Sequence, residues 1–123
     1  MKIRIRGNSI RYRLDKNDIE KLKETDKVEE HTWIGAHNLH FCIRSRNIVI
    51  PAIKLEGSGV HLSVPAPLVE KWTDSDETGF SFDIANPDDS VLKLLIEKDF
   101  KCLTVREEDD SAAFENPDAG KAC

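Results

Sequence analysis

The first fourteen residues, MKIRIRGNSIRYRL, alternate apolar and basic side chains on both sides of Gly7-Asn8. Strict alternation has the two-residue period of a strand with one buried face, and Gly-Asn is compatible with the tight turn of a hairpin. With Gly7-Asn8 as the loop, Arg6 faces Ser9, Ile5 faces Ile10, Arg4 faces Arg11, Ile3 faces Tyr12 and Lys2 faces Arg13. One face of this hairpin is apolar. The other carries Lys2, Arg4, Arg6, Arg11 and Arg13 with no acid among them.

Such a face must be answered by negative charge, because Arg4 and Arg11 directly opposed repel one another. Three sources are open. Acids on neighbouring strands, with Glu97, Asp99, Glu29 and Glu30 as candidates, are one. The acidic C-terminal segment is a second, and an external anion or an acidic partner protein is a third. Arginine outnumbers lysine on the face, which favours forked pairing with carboxylate or phosphate over diffuse attraction.

The rest of the chain reads mainly as strands. Asp15, with Asp18 three residues on, caps a short helix whose stripe is Ile19 and Leu22. Strands are expected over Val28–Ile34, Leu39–Arg44, Ile48–Leu55 (interrupted by Pro51) and Val60–Val64. Pro67 suits the first turn of a second helix carrying Leu68, Val69 and Trp72. Further strands follow at Phe80–Ile84, at Val91–Ile96, which is apolar on both sides except at Lys93, and at Phe100–Val105. The fold class is therefore mainly β (α+β): an antiparallel β-barrel or sandwich of about eight strands with two short helices. No internal repeat is evident. Residues 1–106 read as a single compact domain and 107–123 as an acidic C-terminal tail.

The net charge of −5 resides entirely in that tail, where six carboxylates stand against Lys121, so the first 106 residues are neutral. A neutral body argues against general nucleic-acid binding. No apolar run is long enough to span a membrane. Three scattered cysteines, Cys42, Cys102 and Cys123, suggest no disulfide framework and a cytoplasmic setting. Glu107-Glu108-Asp109-Asp110 lacks the spacing of a cation loop and reads as solvated; Phe114 is the one aromatic there, suited to anchoring in a groove. His37, His40 and Cys42, with His31 or His61, have zinc-binding side chains but not the paired spacing of a structural site, so no metal and no cofactor are expected. No phosphate loop, dinucleotide fingerprint or nucleophile elbow occurs, and no catalytic residue is assigned.

The opening M-K-I-R-I-x-G-N-S-I-R-x-R-L, the Trp72-Thr73-Asp74 stretch followed by Gly79-Phe80, and the closing L-L-I-E-K-D-F-x-C-L resemble a family of small bacterial proteins of unknown function. That resemblance implies a free-standing bacterial domain and brings no activity with it. The triphosphate tunnel enzymes, antiparallel barrels lined by Arg, Lys and Glu, are a looser analogy. They open with an E-x-E-x-K strand, where this chain has Lys2-Ile3-Arg4-Ile5-Arg6. The leading expectation is a small non-enzymatic binding module that meets an anionic ligand or partner protein. The alternative is a phosphate- or nucleotide-recognising enzyme.

Overall fold

A computed structural model describes residues 1–101 together with Ala112 and Phe114. Its elements are β1 (Lys2–Arg6), β2 (Ser9–Leu14), α1 (Lys16–Thr25), β3 (Lys27–Ile34), β4 (His37–Arg46), β5 (Ala52–Glu56), β6 (Gly59–Pro65), α2 (Ala66–Thr73), β7 (Gly79–Ala85) and β8 (Val91–Lys98). They form two four-stranded sheets, ordered β1-β2-β8-β7 and β3-β4-β6-β5. The sheets share one core and neither closes on itself, so the fold is a sandwich and the barrel alternative falls. The N-terminal hairpin has the expected register, Lys2 against Arg13 through Arg6 against Ser9, with Gly7 at φ 53° in the turn.

Both helices start as their sequences dictate. Asp15 accepts from the Asp18 N–H while the Asp18 carboxylate accepts from the Asp15 N–H, a reciprocal capping box. α2 starts at Ala66 with Pro67 in its first turn, where the missing N–H costs nothing. Leu22 from α1, with Val69 and Trp72 from α2, joins Tyr12, Leu14, Leu94 and Ile96 of the first sheet and Val28, Ile43, Leu62 and Val64 of the second in one cluster. Trp72 is fully buried and meets Phe80 edge-on at 5.2 Å. Truncating such a ring to alanine costs about 3–5 kcal/mol.

Three expectations are corrected. Pro51 does not interrupt a strand; β5 begins after it, at Ala52, and runs along a sheet edge, where a residue with no N–H to donate is tolerated. Phe100 and Lys101 are not in a strand, and residues 102–105 of the proposed last strand lie outside the described residues, as does most of the acidic tail; Phe114 is fully exposed.

The third correction is the repeat. Ile19-Glu20-Lys21-Leu22 recurs fifty positions later as Val69-Glu70-Lys71-Trp72, and the same offset carries Ile3, Gly7, Tyr12 and Leu14 onto Ile53, Gly57, Leu62 and Val64. The order β1-β2-α1-β3-β4 is thus repeated as β5-β6-α2-β7-β8. Each sheet takes one hairpin from each half, joined by a parallel pair at its centre, β2 with β8 and β4 with β6. Equivalent contacts coincide: Tyr12 lies opposite Ile96 as Leu62 lies opposite Ile43, and Lys93 N–H donates to Asn8 C=O at 2.9 Å as His40 N–H donates to Ser58 C=O at 3.0 Å. The halves are interlocked, since neither sheet exists without both.

Candidate functional site: the basic outer face of the first sheet

Register turns the alternation of β1 and β2 into a surface. On the outer face of the first sheet, Lys2, Arg13, Glu97 and Gly79 form one row across the four strands. Arg4, Arg11, Leu95 and Ser81 form the next, and Arg6, Ser9, Lys93 and Asp83 the third. All five sequence-predicted cations, Lys2, Arg4, Arg6, Arg11 and Arg13, are therefore brought together. Glu97 and Asp99 reach them because β8 lies parallel to β2.

The first row is a charge cluster. Glu97 Oε1 accepts from Arg11 Nε at 2.6 Å and lies 2.5 Å from Arg11 Nη2. It also stands 3.1 Å from Arg13 Nε. That last contact lacks hydrogen-bond alignment, so Arg13 Nε makes no hydrogen bond despite its proximity; its attraction to Glu97 is coulombic. Asp99 pairs with Lys2 at 2.9 Å and is more distantly matched to Arg13 at 3.9 Å. Its position is fixed by its own N–H donating to the Leu14 C=O at 2.8 Å. Glu29 and Glu30, also considered as partners, belong to the second sheet: Glu29 pairs with Lys27 and His31, and Glu30 with the Met1 amino group.

The second and third rows line a shallow depression of about 750 Å³, bordered by Arg4, Arg6, Arg11 and Lys93 over a floor that includes Ser9 and Ser81. Lys93, Asp83 and Ser81 were not assigned from sequence. The signal was Lys93 itself, the single charge within the apolar run of β8, whose alternation with Leu95 and Glu97 puts it on the basic face. Among the described residues the face carries six cations against the three carboxylates Asp83, Glu97 and Asp99, an excess of three positive charges. Glu97 and Asp99 are engaged with Lys2, Arg11 and Arg13, which leaves Asp83 as the carboxylate that lines the depression. Among the described residues Arg6 and Lys93 form no ion pair. Bidentate Arg and point-charge Lys around a small-residue floor suit phosphate or carboxylate oxygens.

The outer face of the second sheet gathers different chemistry. His31, His40 and His61 arrive from three adjacent strands, with ring centroids 5.6 Å and 5.3 Å apart. Gly59 makes room for them, because a Cβ there would fall inside the His40 ring. Cys42 lies fully buried on that face, its sulfur accepting from Arg44 Nε at 3.4 Å. His37 is on the opposite side of β4. Among the described residues no three such groups converge to hold a metal ion. His31 bonds Glu29 Oε2 at 2.9 Å and Asn38 Oδ1 at 3.1 Å. These contacts raise its pKa, Glu29 contributing most, while the His31 and Lys27 bonds hold Glu29 below the usual carboxylate range.

Fold and face together define a class: a duplicated ββαββ sandwich with a basic outer sheet. The chain belongs to a family of unknown function, DUF7009, whose model matches residues 1–118. No curated protein and no solved structure matches it. Among the described residues no helix is long and apolar enough to cross a membrane.

Proposed function

We propose that the protein is a non-enzymatic binding module, a cytoplasmic bacterial domain whose first-sheet outer face takes an anionic ligand, phosphate- or carboxylate-bearing, free or on a partner protein. The observation that carries this reading is the pair of cations, Arg6 and Lys93, that form no ion pair among the described residues and stand at the border of the depression. Two of the acids that would serve an enzyme as metal ligands or bases are committed elsewhere, Glu97 to Arg11 and Arg13 and Asp99 to Lys2, which leaves Asp83 alone at the depression. The open sheet also offers no enclosure from water, which phosphoryl chemistry uses to strengthen its electrostatics. Both points favour binding over the phosphate-recognising enzyme.

The test is titration calorimetry of the full chain with inorganic phosphate, a nucleoside triphosphate and heparin at low salt. Arg6→Glu with Lys93→Glu is expected to abolish binding. Lys54→Glu, on the second sheet, is expected to leave it intact. Equal loss in both variants would reduce the interaction to net charge and refute a site on the first sheet.

A further inference from the structure

Among the described residues four strands lie at sheet edges: β1 and β7 in the first sheet, β3 and β5 in the second. Exposed edges invite pairing, and proteins blunt them with charges or proline. β1 carries Lys2, Arg4 and Arg6. β5 follows Pro51 and carries Lys54 and Glu56. β3, the counterpart of β7 in the duplicated fold, carries Lys27, Glu29, Glu30 and His31. β7, Gly-Phe-Ser-Phe-Asp-Ile-Ala, has Asp83 alone. It pairs with β8 without a bulge from Gly79 to Ala85, so its free edge is straight.

The phase of that edge follows from two bonds. Lys98 N–H donates to Thr78 C=O and Asn86 N–H to Ser90 C=O, both at 2.8 Å. In an antiparallel pair, hydrogen-bonded residues alternate. Phe80, Phe82 and Ile84 therefore direct their backbone groups to β8, while Gly79, Ser81, Asp83 and Ala85 direct theirs outward. Phe80, Phe82 and Ile84 turn their side chains toward the core but stay only half-buried at the edge.

We propose that β7 is an interface for a second copy of this chain, pairing antiparallel with its own counterpart about a two-fold axis at Phe82. In this register Ser81 of each copy faces Asp83 of the other, and Gly79 faces Ala85. All four outward residues then exchange their main-chain bonds, using the whole strand. Phe82 meets Phe82 of the other copy in the closely spaced, non-hydrogen-bonded position, and Phe80 meets Ile84, covering the half-buried side chains. Ser81 supplies a hydroxyl donor to the facing Asp83 carboxylate. Centring on Asp83 instead would set carboxylate against carboxylate, and centring on Ser81 would leave Ala85 unpaired. A self-complementary patch of this kind is what a two-fold dimer requires. It would join the two sheets into one of eight strands, with both basic depressions on the same face. The proposal does not rest on the anion-binding reading, although Ser81 and Asp83 also line the depression.

Sedimentation velocity on the full chain across a concentration series tests it. The wild type is expected to approach twice the mass of one chain. Ser81→Asp sets two carboxylate pairs across the axis and is expected to return the mass to that of one chain, with an unchanged circular dichroism spectrum. Adding Asp83→Lys to that variant puts the introduced lysine opposite the introduced aspartate and is expected to restore the dimer. A wild type that stays monomeric at every concentration reached overturns the proposal. So does a dimer indifferent to Ser81→Asp, or a failure of the double variant to recover.

Discussion

Replacing Glu97 by Gln should move stability and ligand affinity in opposite directions, and the structure says by how much. Glu97 is about one-fifth exposed and Arg11 about one-quarter. The glutamine amide oxygen can still accept from Arg11 Nε, but hydrogen bonds to charged groups contribute about 1.5–3 kcal/mol net against about 0.5–1.5 kcal/mol for ordinary ones, so losing the acceptor's charge should cost about 1 kcal/mol. Arg11 and Arg13, two residues apart on β2, also lose the carboxylate between them; at about 7 Å in an intermediate dielectric their repulsion adds about 1 kcal/mol. A total of about 2 kcal/mol corresponds to a fall in Tm of about 8–16 °C for a domain of this size. The basic excess on the face meanwhile rises from three to four. Affinity for heparin should therefore increase severalfold at low salt, and the gain should fade as the Debye length falls to about 8 Å at physiological ionic strength. Thermal unfolding and salt-series calorimetry on the same samples read both effects. A Tm unchanged to within about 1 °C would refute the structural role of Glu97. Lower stability with weaker heparin binding would refute the face as an anion site.

Three further outcomes follow from other parts of the molecule. The Tyr12 hydroxyl is buried with no protein partner among the described residues, and burial pushes its pKa up; Tyr12→Phe should therefore change urea stability by less than about 1 kcal/mol or raise it, and a loss above that would reveal a bond to the hydroxyl. Because the folded pKa of His31 is raised, its contribution is complete below the ordinary value of 6.5 and is lost as pH rises through the folded value; proton NMR should show His31 titrating above the ordinary range and Glu29→Gln returning it there. Cutting the chain at a protease site placed within residues 47–51, where Val49 and Ile50 are exposed, should leave the halves associated, because each sheet is completed by strands of both; separation on gel filtration without denaturant would refute the interlocked arrangement.

The hairpin was legible because alternation around a Gly-Asn turn admits one register. Helix α1 was legible from Asp15 and Asp18, and α2 from Pro67 and the Val69-Trp72 stripe. The duplication was not. Tyr12 and Leu62, or Leu22 and Trp72, share only burial, and residue identity survives mainly at Gly7 and Gly57 and at Glu20-Lys21 and Glu70-Lys71. What the repeat conserves is which face each position occupies, and sequence displays that only once both halves are known to fold alike. The acids that answer the basic face were named because Glu97 and Asp99 interrupt an apolar run. Glu29 and Glu30 were equally acidic, but their strand belongs to the other sheet, and local pattern does not contain sheet membership. The parallel pairing of β2 with β8, which delivers Glu97 to Arg11, joins segments 86 residues apart and leaves no local signature.

The duplication also explains why this chain has one basic face rather than two. Under the equivalence of the halves, Arg4 corresponds to Lys54, Arg11 to His61, and Lys93 to His40. Three positions that are permanently cationic on the first sheet hold one lysine and two histidines on the second. Arg6 corresponds to Glu56, which pairs with Lys54 at 3.3 Å, so the nearest counterpart of the depression neutralises itself. Leu95 corresponds to Cys42 and Ser9 to Gly59, where the missing side chain admits the His40 ring. The same backbone positions are thus filled mainly with arginine and lysine on one sheet and with packed imidazoles and a neutralising Lys54–Glu56 pair on the other. A scaffold needing only solubility would have no reason to concentrate arginine and lysine at one of two equivalent places. The asymmetry between equivalent faces, more than the count of arginines, is what marks the first sheet as the working surface.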